Sequence, residues 1–226
     1  MIFAWILIAT IGVVFVLRTP LKKCPGAFYA LAIVTVVLFF AGDALGFPRA
    51  VSNAFFILVH KCTLTLALFV VVMFIGVFSK TSRIRRWLQP VRAELSIVAC
   101  ILSVGHMAVY LVAYASRILS GIMGGSVAVA LAVAAVLTAL LLVLGITSLR
   151  AVKRRMTKSG WKHVQMLAYP FFALVYAHLM LMLLPPALAG GQAAQCSVGV
   201  YTAVFVSYAV ARMVRAVIDR RNALTD

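Results

Sequence analysis

Four histidines stand in a chain with very little else that could do chemistry: His60, His106, His163 and His178. Two of them sit deep in apolar runs, His106 in GHMAVY and His178 in YAHLMLM. An imidazole in hydrocarbon needs a hydrogen-bond partner, a water or a metal. Counted from Ala93 and Val164, His106 and His178 lie 13 and 14 residues along their runs, which puts both at a depth of roughly 20 Å in helices rising 1.5 Å per residue. Two imidazoles at one depth on parallel helices suit the axial positions of a heme, with iron replacing the lost hydrogen bonds. Gly105 would then let the macrocycle approach the backbone, and Tyr110, Tyr169, Phe171, Phe172 and Tyr176 would line the pocket. The same depth match equally admits two buried rings bonded to backbone carbonyls or to each other. His60 lies at a similar depth from the opposite side, as a propionate partner, part of a quinol site or a third ligand. His163, between Lys162 and Val164 and close to Trp161, reads as an interfacial residue.

The elements that must carry these residues are membrane helices. Of 226 residues, 65% are hydrophobic and only 11% charged, with a mean hydropathy of +1.13. A soluble domain that apolar could not cover its own surface. About seven apolar runs approach the ~20 residues that cross a bilayer as a helix. They fall at about 1–17, 26–46, 54–79, 93–114, 125–148, 164–184 and 197–217. The expected fold is an all-α polytopic bundle. Residues 1–25 would form an N-terminal transmembrane anchor with a basic loop, 26–217 the main transmembrane domain and 218–226 a cytoplasmic tail. The first run has no basic residue before it and no A-x-A-like site after it, so it reads as a retained anchor and not a signal peptide. The fifth run, rich in Ala and Gly, suits close helix packing, while Pro185–Pro186 and GGQAAQ are expected to end the sixth.

The formal net charge of +17 could suggest a nucleic-acid partner, but its distribution explains it otherwise. Basic residues cluster after the first run (Arg18, Lys22, Lys23), between the third and fourth, between the fifth and sixth, and at the end of the seventh (Arg212, Arg215, Arg220, Arg221). Alternating spans put all of these on one side, leaving Arg49, Lys61 and Arg117 near the other. The positive-inside rule then places the N-terminus outside and the C-terminus in the cytoplasm of a multi-pass cell-membrane protein, with the lipid bilayer as partner and no nucleic-acid role.

The four acids, Asp43, Glu94, Asp219 and Asp226, sit at expected membrane edges or in the tail. Ion-coupled carriers usually keep titratable groups within the bundle, so their absence from mid-membrane counts against that class. There is no P-loop, no glycine-rich dinucleotide motif and no Cys-x-x-Cys.

The segment from about Asn53 to His178 resembles the ferric-reductase-like transmembrane domain. The resemblance rests on Arg92 with GHMAVY at 105–110, ITS at 146–148 before a basic loop, WKHVQMLAY at 161–169, and the later His178. That family includes metalloreductases, NADPH oxidases and the heme-binding membrane subunit of bacterial periplasmic methionine sulfoxide reductase systems, the last being nearest in length. It implies a six-helix core, here with an extra N-terminal helix. It also implies that His106 and His178 hold an outer b-type heme. Where two-heme members carry the inner pair, this chain has Arg92 and Gln165, so one heme is expected.

The leading expectation is therefore a cytochrome b-type electron-transfer subunit of an oxidoreductase. Its cofactor would be one heme b, bound through His106 and His178 with Gly105, Tyr110 and Tyr176 around it. Its donor would be quinol or a separate cytoplasmic flavoprotein, and its acceptor an extracytoplasmic reductase or ferric iron. Bis-histidine ligation leaves no open iron position, which favours electron transfer over substrate activation. The alternative is a non-redox carrier or scaffold subunit that keeps the fold without heme.

Overall fold

The computed structural model describes residues 2–120 and 125–225; the Arg117 side chain and Asp226 lie outside the described set. The described chain is helical, with no strand. The helices are α1 (Ile2–Lys23), α2 (Pro25–Ala41), α3 (Arg49–Phe55), α4 (Thr63–Ile75), α5 (Arg83–Leu88), α6 (Arg92–Leu119), α7 (Gly125–Ser148), α8 (Arg150–Lys153), α9 (Lys158–Met166), α10 (Ala168–Leu188) and α11 (Gln192–Thr225). Five helical stretches among them are long and apolar enough to cross a bilayer. A sixth results if Arg49–His60 and Thr63–Ile75 form one span bent by 44°. The α2 helix has 17 residues, a little short of an untilted span.

Local chemistry explains most boundaries. Pro25 opens α2 at a position where its missing N–H costs nothing. Ser82 and Thr157 cap α5 and α9 by accepting from Arg85 N–H (3.2 Å) and Gly160 N–H (3.1 Å). The sixth apolar run departs from expectation, because α10 continues through Pro185 and Pro186 to Leu188. It stops at Gly190, whose φ of +90° suits only glycine, and Gly191 N–H closes the turn onto the Pro186 carbonyl (3.0 Å).

The α4 helix stands at the centre. It is apolar all round and buries residues on every side, from Leu66 and Ala67 to Met73 and Ile75. Around it α1, α2, α6, α7, α10 and α11 close a ring in that order, each packed on the next and α11 back on α1. One core joins α4 to α1, α2 and α6 through Leu68 and Val72, Val14, Ala32, Leu95 and Ala99. A second joins it to α10 and α11 through Val70, Phe172, Phe205 and Tyr208. The outward faces carry exposed apolar residues such as Val16, Val37, Leu111, Val143 and Val214, as expected of helices in contact with lipid.

One end of the ring is tied by polar contacts. Arg18 Nε donates to the Trp87 carbonyl (3.0 Å), and Arg212 donates to the Tyr169 hydroxyl through Nε (3.0 Å) and Nη2 (2.8 Å). Arg150 Nη2 donates to Glu94 Oε1 (2.7 Å), and the Tyr29 hydroxyl donates to Glu94 Oε2. These contacts bring the C-terminal ends of α1, α7 and α11 to the N-terminal ends of α2, α6 and α10. Successive spans thus alternate in direction, and α6 and α10 are parallel.

Candidate functional site

The site begins with a break in the chain. After α3 the helix widens into a π-turn at Phe56–His60, closed by Lys61 N–H on the Phe56 carbonyl (2.9 Å). Cys62 then takes a left-handed conformation (φ 56°), unusual for a residue with a Cβ. Thr63 Oγ1 donates back to the Ile57 carbonyl (2.6 Å), and α4 starts in a new direction. The carbonyl of His60 at this break accepts a hydrogen bond from His106 Nδ1, 2.6 Å away on α6. A carbonyl can only accept, so Nδ1 of His106 carries the proton and Nε2 carries a lone pair. This is the arrangement in which metal-ligating histidines are usually held, the far ring nitrogen fixed by a carbonyl.

His178 sits on α10, hydrogen-bonded to the backbone of Ala130 on α7 and within electrostatic reach of His106. Its Nδ1 is buried without a hydrogen-bond partner, and so is Nδ1 of His60. The α7 helix packs against both α6 and α10 and stands between the helices that carry the two rings. His106 and His178 thus act on one another electrostatically inside the ring of helices, and Nδ1 of His178 is left without a hydrogen-bond partner. Among the described residues no cluster of three or more His, Cys, Asp or Glu is placed to hold a metal ion.

The other expected site residues divide by helical phase. Tyr110, one turn beyond His106 on the same face, packs on His106 (centroids 4.8 Å) and on His60 (5.4 Å). Gly105, about 100° round the helix from His106, faces elsewhere. A Cβ there would meet Val59 Cγ1 at 2.7 Å, so its missing side chain leaves room for the π-turn. Tyr176, two residues from His178, is turned about 200° away. It faces α11, where its hydroxyl bonds Thr202 Oγ1 (3.0 Å) and its ring packs on Phe205. Phe171 and Phe172 belong to the core, against Phe69 and Phe205, and Tyr169 lies at the polar end with Arg212. His163 is exposed, its Nδ1 donating to the Ser159 carbonyl of its own helix (2.9 Å). All four cysteines are free thiols.

Part of this chain is similar in sequence to another protein. A protein of Treponema pallidum (strain Nichols), described as "Uncharacterized protein", is 34% identical over 172 residues, 74% of this chain and 48% of that protein. The chain spans about half the length of this relative. No family model matches the chain, and no solved structure matches it.

Nearer the basic end lies a cavity of about 130 Å³ between α4, α6, α7, α9 and α10. Arg92, Gln165, Trp161, Lys153 and Gln89 line it together with apolar side chains. Gln165 Nε2 donates to Thr147 Oγ1 (3.0 Å), and Trp161 Nε1 to the Thr147 carbonyl (3.0 Å). Sequence reasoning placed Arg92 and Gln165 at an inner heme position but did not foresee the cavity. It also missed the π-turn, because FFILVHKCTL contains neither Gly nor Pro. The polar pair His60–Lys61 interrupting an apolar run was the available signal.

Proposed function

We propose that the chain is a cytochrome b-type electron-transfer subunit of the ferric-reductase-like class. In this reading seven spans, α2 and the bent α3–α4 unit among them, cross a cell membrane with the N-terminus outside and the basic end in the cytoplasm. His106 and His178 would be the axial ligands of one heme b toward the outer leaflet. The observation that carries the reading is the hydrogen bond from His106 Nδ1 to the His60 carbonyl, which leaves Nε2 of a half-buried ring unprotonated and fixed in direction. The buried, unpartnered Nδ1 of His178 supports it, since an unmatched polar atom in a membrane protein interior is costly.

When bound, a bis-histidine heme supplies one-electron transfer without an open coordination position. The chain's residues would do the rest. The His60 carbonyl sets the His106 tautomer, Tyr110 packs that ring in place, and the apolar ring helices exclude water. Electrons would come from quinol or a separate flavoprotein and leave to an extracytoplasmic reductase or a ferric acceptor.

The other reading is a non-redox carrier or scaffold. It is favoured by the backbone neighbours of both rings, His60 for His106 and Ala130 for His178. Substitution separates the two. In the electron-transfer reading His106→Ala and His178→Ala each abolish heme retention by the purified protein, and His163→Ala does not. A full heme spectrum in either of the first two variants would remove the ligand assignment.

A further inference from the structure

The cavity at the basic end presents positive charge that this chain does not neutralise. Its mouth is marked by the exposed residues Gln89 and Lys153, and half-buried Arg92 and Gln165 lie further in. Among the described residues the ion pairs are Arg150–Glu94 and Arg215–Asp219. Glu94 faces the other way from α6, held by Arg150 and Tyr29. Asp43 follows the end of α2 opposite to the one Tyr29 ties to Glu94. No acid among the described residues therefore pairs with Arg92. The charged groups that act on it are the guanidinium groups of Arg85 and Arg212. Those two are partly satisfied by the Phe78 carbonyl and the Tyr169 hydroxyl, whereas the Arg92 guanidinium has no hydrogen-bond partner among the described residues.

A cation held inside a membrane protein is normally paired. The cavity has the volume of about four water molecules at ~30 Å³ each, enough for one phosphate group. Its donors suit an oxyanion: the planar guanidinium fork of Arg92, the Lys153 ammonium held 4.1 Å from the Trp161 ring, and the side-chain amides of Gln165 and Gln89. We propose that this cavity is a phosphate-binding site, with Arg92 as the principal ligand and Lys153 as the second cation. The phosphate comes either from the headgroup of an anionic phospholipid at the basic membrane face or from a soluble phosphate compound. The site is separate from the histidine pair and does not depend on heme.

The test is thermal unfolding of the delipidated full-length protein in detergent. Phosphatidylglycerol, phosphatidylcholine or inorganic phosphate is added, and bound lipid is counted by native mass spectrometry. Phosphatidylglycerol is expected to raise Tm and to remain bound at one per chain, with phosphatidylcholine ineffective. A matching rise with inorganic phosphate assigns the site to soluble phosphates, and its absence assigns it to the lipid. Arg92→Gln should weaken binding about tenfold or more, the usual cost of losing a charge-assisted hydrogen bond. If that variant does not fold, Lys153→Gln at the exposed mouth should still weaken binding several-fold, while Arg86→Gln leaves it unchanged. No response to either anion, or wild-type binding by Lys153→Gln together with Arg92→Gln, overturns the proposal.

Discussion

The His106 ring is held by the backbone of His60, 46 residues earlier, and not by its side chain: Nδ1 lies 2.6 Å from the carbonyl oxygen. It follows that the His60 imidazole can be removed without disturbing the tautomer of His106. His60→Ala is expected to keep the heme retained by the wild type, whereas His106→Ala loses it; heme absorbance per protein after purification is the measurement. Loss in His60→Ala would make His60 the ligand in place of an orienting residue.

The α6–α7 contact depends on the absence of a side chain. A Cβ on Gly145 would lie 2.6 Å from Cys100 Sγ. Gly145→Val should therefore destabilise the protein by about 1–3 kcal/mol, the usual range for overpacking. Adding Cys100→Ala should restore part of the loss. Thermal unfolding of the single and double variants in one detergent measures both.

Glu94 is almost fully buried, with 4% of its side chain exposed, while Arg150 opposite is 65% exposed. Beside Glu94 the Arg150 guanidinium is held more firmly in its charged form. Arg150→Gln leaves a buried carboxylate with only Tyr29 for company, whereas Glu94→Gln removes the charge and keeps an amide able to hydrogen bond. The first change should cost more, and Tm should fall in that order.

The cysteines report topology. Cys24 is exposed where α1 meets α2 at the basic end, and Cys196 is exposed in the first turns of α11 at the opposite end. With the basic end in the cytoplasm, a membrane-impermeant thiol reagent should label Cys196 in intact cells and Cys24 only after permeabilisation. The reverse pattern would invert the orientation.

Much of this architecture was legible in the sequence because the signals were long and redundant. The apolar runs located the long helices, with some ends off by five to eight residues and one run broken at the π-turn, and the parallel course of α6 and α10 followed from counting spans. What was not legible depended on helical phase and on backbone geometry. Tyr176 and Gly105 are neighbours of the histidines in sequence but point away from the pair, because a helix turns about 100° per residue. The π-turn and the left-handed Cys62 are set by packing around Val59 and Gly105, and an ordinary run such as FFILVHKCTL does not announce them. The cavity beside Arg92 is likewise a property of five helices meeting and of no single stretch.

The central claim is that His106 and His178 hold one heme. A dithionite-reduced minus oxidised absorption spectrum of the purified protein, with a pyridine hemochrome count per chain, tests it most directly. The account predicts a low-spin b-type spectrum and one heme per chain. No heme after expression with ample heme supply would contradict it and favour the carrier or scaffold reading, and two hemes would contradict the single-site assignment.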